Sequence, residues 1–297
     1  MNIPLLVRKE FVDSMRSRGL WAATALLTVV ASAAVFLPSV ALDSVDPVVV
    51  PQYMLTPVTT FVSITALVTG YLAIAGERDT GSIKTLFGLP YTRCDVVVGK
   101  YLGRAAVVTV AVLVSFLVAG VVGVAVYGSL PYESYIQLGA LTVVLAVAFV
   151  GIAVAISAGA ASRSRAMTLA VGSFFVFELL WSTLVRGVYY VATLGDLPGL
   201  EVPAWYVFLQ RSSPGDAFKT AAGTFLPDDV TNVQISGSSG ATQGASGGSG
   251  AAPTLAERLG GEVPFYLDDW FALVVLGCWL VVPIVIGYLR FERADLG

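Results

Sequence analysis

Apolar and polar positions alternate along this chain in long blocks. Six apolar runs, near 20–42, 56–75, 105–126, 136–158, 167–185 and 270–289, are set apart by polar stretches. A helix needs about 20 mostly apolar residues to cross a bilayer, whereas a barrel strand needs about 9–11. A helix also satisfies its own backbone groups in lipid. The pattern predicts an all-α polytopic membrane protein with six transmembrane helices, forming a single transmembrane domain over 1–297.

Composition agrees. Only 12% of the 297 residues are charged, against about 25% in soluble domains, and the mean hydropathy is +0.81. The first run is longer than the 7–15 residue apolar core of a secretory signal, so it reads as a retained span. Orientation follows from Lys and Arg, which favour cytoplasmic loops. With a cytoplasmic N-terminus, 13 of the 17 basic residues fall inside. Arg186, Arg211, Lys219 and Arg258 fall outside, in or beside one long loop over 186–269. Both termini are expected on the cytoplasmic side of the cell membrane.

Three polar segments carry further pattern. In 2–18, Ile3, Val7, Phe11 and Met15 share one side of a helix, with Lys9, Asp13 and Arg16 opposite. This spacing predicts an amphipathic helix lying in the membrane surface, although a plain basic flank fits too. Segment 77–104 lies between the second and third runs and carries Glu77, Arg78, Asp79, Lys84, Arg93, Asp95, Lys100 and Arg104. Charges of this density exclude a span. Ile83, Leu86 and Phe87 have helical spacing, Gly88-Leu89-Pro90 breaks the pattern, and Thr92-x-x-Asp95 reads as a capping box that starts a new helix. A short helix held out from the membrane can receive force from a soluble partner; a solvated loop with ordinary caps fits the same residues. In the long loop, Ser213 is suited to cap a helix, with Pro214 and Asp216 at its first and third positions. The Gly/Ser-rich stretch 237–252 reads as a flexible coil.

Enzymatic chemistry finds little footing. The chain has no histidine, which excludes His-based zinc motifs. It also leaves Gly237-Ser238-Ser239-Gly240 without an imidazole base. Cys94 and Cys278 fall in different compartments and cannot pair. No metal site, no cofactor and no nucleic-acid partner is expected. Glu178 is the one acid near the middle of a span, where ionisable groups commonly line a watery cavity or pathway. A structural hydrogen bond is the alternative. Thr56, Thr59, Thr60 and Ser63 share a side of the second span and suit either close helix packing or a pathway lining. Gly-x-x-x-Gly spacing does not mark a span interface, though Gly120 and Gly123 allow close contact in the third.

The segment ERDTGSIKTLFGLPYTRCDVVVGK resembles the region after the second span in permeases of type-2 ATP-binding cassette (ABC) transporters. Glu77, Arg78, Gly81, Leu86, Leu89, Pro90, Arg93, Gly99 and Lys100 fit that pattern. The basic N-terminal helix, six spans, SPGDAF after the fifth span and a C-terminal FERADL agree with it. The resemblance implies a permease subunit, most often of an exporter, working by alternating access as half of a dimer with a second copy or a paralogue. ATP and Mg would bind a separate ATPase subunit on the cytoplasmic face, and no Gly-x-x-x-x-Gly-Lys-Ser/Thr phosphate loop occurs in this chain. Glu77, Arg78, Gly81, Ile83, Leu86, Phe87, Leu89, Pro90 and Arg93 would form the coupling segment that docks on it. A proton-coupled transporter using Glu178, or a membrane scaffold, are the rival readings.

Overall fold

The computed structural model describes residues 3–42, 44–79, 92–226 and 254–293. Among them, six helices are long and apolar enough to cross a membrane: Arg18–Ala41, Pro47–Asp79, Arg93–Tyr127, Tyr132–Gly159, Arg163–Ala192 and Phe271–Glu292. No strand occurs among the described residues. The all-α, six-span class expected from the apolar runs is the class observed.

We number the helices in order. α1 is Ile3–Met15 and α2 is Arg18–Ala41. The second span starts with a 3-10 turn, Pro47–Val49, continues as α3, Val50–Gly70, then breaks and resumes as α4, Ala75–Asp79. The third span is α5, Arg93–Tyr127, and the fourth is α6, Tyr132–Gly159. The fifth joins α7, Arg163–Phe174, to α8, Trp181–Ala192, through a π-helical turn, Phe175–Leu180. Short helices α9, Ala204–Gln210, α10, Pro214–Ala222, and α11, Leu255–Leu259, precede the sixth span, α12, Phe271–Glu292.

The chain divides into two compact units. In the first, Met1–Phe174 with Leu276–Gly297, α5 packs against α1, α2 and α6, and α3 packs against α2 and α6. The inward positions keep helical spacing: Leu27, Ala31 and Val35; Met54, Val58 and Val62; Val108 and Val112; Leu138, Leu145 and Phe149. Lipid tails are as apolar as these side chains, so packing and interhelical hydrogen bonds hold such helices together. Thr28 Oγ1 and Ser115 Oγ are 2.9 Å apart across α2 and α5. The Tyr135 hydroxyl donates to the Phe116 carbonyl at 2.6 Å, linking α6 to α5.

The second unit, Phe175–Val275, packs α9 and a 3-10 turn, Phe265–Leu267, beside α8. Its core holds Val185, Tyr189, Val202, Tyr206, Val207 and Leu267. Tyr189 and Tyr206 meet at 4.8 Å between ring centroids, a favourable edge contact. Ser213 caps α10 as its spacing predicts, accepting from the Asp216 amide at 3.0 Å. The described parts of 186–269 thus carry the expected cap and the short helices α9, α10 and α11. Stretch 237–252, with its Gly-x-Ser-Gly, lies outside the described residues.

Candidate coupling site at the root of segment 80–91

The break in the second span is built, not frayed. After Gly70 the helix turns, and the Ser157 hydroxyl of α6 accepts from the amides of both Ile74 and Ala75 at 2.9 Å. Those are donors a helix start leaves without intrahelical partners, so Ser157 caps α4 from a neighbouring span. Arg78 Nη1 donates to the Ala160 carbonyl at 3.1 Å. Arg163 Nε lies 3.2 Å from Asp79 Oδ2. These contacts fix the direction in which the chain leaves the bundle toward 80–91.

Opposite them stands a charge network. Lys100 of α5 is 1% exposed, and its Nζ lies 2.7 Å from both Glu10 Oε1 of α1 and Glu77 Oε1 of α4. Arg104 Nη2 approaches Glu10 Oε2 at 3.4 Å. Two acids and two bases therefore balance across three helices. Removing a charge from water costs several kcal/mol, so the buried Lys100 and Glu10 are tolerated only through their partners.

The helices come this close because α5 presents glycine. A Cβ on Gly99 would lie 2.5 Å from Leu6 Cδ2, and one on Gly103 would lie 2.5 Å from Glu10 Cβ. Gly99-x-x-x-Gly103 thus forms a groove for α1, with Lys100 rising beside it. The pair precedes the third apolar run, so the apolar pattern does not mark it. The expected apolar side of α1 is a membrane-facing one, and the face packed on α5 lies one residue from it. Leu6, Glu10 and Ser14 are the buried positions, whereas Val7, Phe11 and Met15 are half-buried. Lys100 supplies the partner that lets a glutamate stand on a packed face.

At the other end of the segment, Thr92 and Asp95 form the expected capping box. The Asp95 amide donates to Thr92 Oγ1, and the Thr92 amide to Asp95 Oδ2, each at 3.1 Å. Arg93 reaches the end of α12. Its Nη1 donates to the carbonyls of Phe291 at 2.8 Å and Glu292 at 2.7 Å, with the guanidinium 5.7 Å from the Phe291 ring centroid. It thereby satisfies carbonyls that the end of α12 leaves open.

Of the sequence-predicted coupling residues, the structure brings Glu77 and Arg78 together at α4 and sets Arg93 on α12. Gly81, Ile83, Leu86, Phe87, Leu89 and Pro90 lie outside the described residues. Thr59 and Ser63 are buried, while Thr56 is exposed and Thr60 is half-buried. The hydroxyls of Thr59, Thr60 and Ser63 donate one turn back, to Leu55, Thr56 and Thr59. Glu178 sits in the π turn of the fifth span. Glu10, Arg104, Ser157 and Arg163 carry contacts the sequence did not single out. Among the described residues no group of three or more His, Cys, Asp or Glu is placed to hold a metal. The arrangement suits mechanical work: it ties α1, α4, α5 and α12 to the two roots of one short segment.

Comparison with known proteins agrees in kind. The model of the ABC-2 family transporter proteins matches residues 5–296. A probable ABC transporter permease protein NosY of Pseudomonas aeruginosa is 29% identical over 224 residues, covering 72% of this chain and 78% of that protein. A protein of the same name from Stutzerimonas stutzeri is 24% identical over 302 residues, covering 97% of each chain.

Proposed function

Because the chain belongs to the ABC-2 family of transporter proteins, we propose that this multi-pass permease subunit works in the cell membrane beside a separate ABC-type ATPase. The basic end of the bundle, with Arg8, Lys9, Lys100 and Arg104, faces the cytoplasm under the rule that Lys and Arg stay inside. In this reading segment 80–91 is the part that docks on the ATPase, with Ile83, Leu86 and Phe87 as its apolar contact. ATP and Mg bind the partner. Closure of the partner pushes the segment, and alternating access results. Transport is outward, and a second copy of this chain or a paralogue completes the pathway.

The observation that carries this reading is the buried Glu10–Lys100–Glu77 network. It fixes the entry root of the segment to α1 and α5, so force on the segment reaches the spans rather than bending a loop. A membrane scaffold has no such need for a rigid anchor at this point of the chain.

The test is capture of the detergent-solubilised chain from its native membrane, with mass spectrometry of what accompanies it. A stoichiometric P-loop ATPase is expected. An intact, well-recovered chain with no such companion would sink the proposal.

A further inference from the structure

Helix α1 turns opposite sides to different surroundings. Leu6, Glu10 and Ser14 are buried, and Glu10 is held inward by Lys100 and Arg104 of α5. Leu5, Arg8, Lys9, Val12 and Arg16 are exposed. Their i, i+3, i+4, i+7, i+11 spacing puts them on one helix face. Arg18, also exposed, follows at the start of α2. Asp13 is the one exposed acid between residues 4 and 18. The inward packing of Glu10 therefore leaves four bases against one acid on the outer side.

Those four bases have no protein partner. Among the described residues, no hydrogen bond or ion pair engages the side chain of Arg8, Lys9, Arg16 or Arg18. Arg78, Arg93, Lys100, Arg104 and Arg163, in the same unit, are each partnered. The neighbours of the face set its level. Helix α2 is long and apolar enough to cross a membrane, so the bases stand where a span begins. Trp21, in its first turn, is 55% exposed, and its Nε1 donates to the Met15 carbonyl at 2.9 Å. Tryptophan gathers at the membrane–water boundary, and this one ties the end of α1 to the start of the span. Val7, Phe11 and Met15 are half-buried. They lie on the helix between the buried row and the basic face, where they suit the acyl boundary.

We propose that the outer face of α1, with Arg18 at its corner, is a binding surface for anionic phospholipid headgroups of the leaflet that α2 enters. Charge complementarity commits it to that occupant: a basic cluster beside a span or on an amphipathic helix attracts anionic lipid. A protein partner fits less well, since the cores of protein interfaces are depleted in charge. The proposal goes beyond the permease reading and stands whether or not an ATPase binds.

The test uses the full-length chain in phosphatidylcholine nanodiscs doped with a photoactivatable phosphatidylglycerol. A photoactivatable phosphatidylcholine of the same acyl length is the control, and labelled peptides are mapped by mass spectrometry. The glycerol lipid is expected to label the peptides of α1 and the start of α2 severalfold more than the choline lipid. Arg8→Gln with Lys9→Gln leaves Arg16 and Arg18 to orient the span, and should cut that preference about threefold or more. Arg8→Lys should retain it. In the wild-type chain the preference should shrink at about 1 M salt, where the Debye length is about 3 Å. Equal labelling by the two lipids, or a preference unchanged in Arg8→Gln with Lys9→Gln, would overturn the surface. So would a variant that keeps its lipid preference but no longer captures an ATPase from its native membrane, because the face would then belong to a protein. Loss of the lipid preference with ATPase capture intact supports the surface, and a wild-type chain that prefers the glycerol lipid but captures no ATPase sinks the permease reading alone.

Discussion

Lys100 is a buried ammonium whose tolerance depends on two carboxylates 2.7 Å away. Breaking a buried pair from one side leaves an uncompensated charge and costs about 3–5 kcal/mol. Lys100→Gln should therefore lower the thermal midpoint of the detergent-solubilised chain by several degrees. Lys100→Met combined with Glu10→Gln and Glu77→Gln should recover much of that loss, because the one charge left in the network, Arg104, is partly exposed to solvent. An additive loss in the triple variant would show that the network is not the coupled unit its geometry describes. Asp216 behaves differently. Burial near α10 pushes its carboxyl above the usual range, against the opposing pull of Lys219 and Ser213. A carboxyl raised in the folded state stabilises it most below the unfolded value, about 3.9, and that contribution is lost as pH rises through the folded value. Amides of α10 should thus exchange faster at pH 7 than at pH 4 after correction for intrinsic rates. Asp216→Asn should flatten that dependence.

Among the elements, α1 depends on the glycine groove more than on its own amphipathicity. Its charged face, with Lys9, Asp13 and Arg16, is exposed, and its docked face contains a glutamate and a serine. Gly103→Leu would drive a side chain into Glu10 and lift the helix from α5. Amide exchange across α1 should then rise about tenfold or more, while α2 and α5 keep their protection. Unchanged exchange in α1 would mean that lipid, not α5, holds it. The 3-residue spacing of Thr92 and Asp95 and the Ser213 cap were readable beforehand because both are local, with every partner within one helical turn. The capping of α4 by Ser157 was not readable, since its donor and acceptor stand more than 80 residues apart.

At the scale of the whole molecule, the first unit holds segment 80–91 at two roots, one fixed by Ser157, Arg78 and Lys100 and the other by the capping box and Arg93. A permease that receives force through this segment should lose coupling when its apolar contact is made acidic. Leu86→Asp with Phe87→Asp should leave the chain folded, by elution and thermal midpoint, while the captured ATPase falls to background. Assembly and transport at wild-type level in that variant would remove the segment from the mechanism.

The sequence by itself determined the membrane class, the six apolar helices and the local caps. Each depends on length, composition or spacing within a turn, and none needs a distant partner. It also marked 77–104 as too charged to span. Packing between helices is what turns Glu10 inward, makes a groove of Gly99 and Gly103, sets Arg93 against α12 and gives Glu178 its π turn. The physical reason is the same in the first three cases. A buried charge or a close backbone approach is favourable only against one particular partner, and that partner comes from another helix. The fourth turns on backbone bonding that responds to packing around the helix, which hydropathy and residue spacing do not encode.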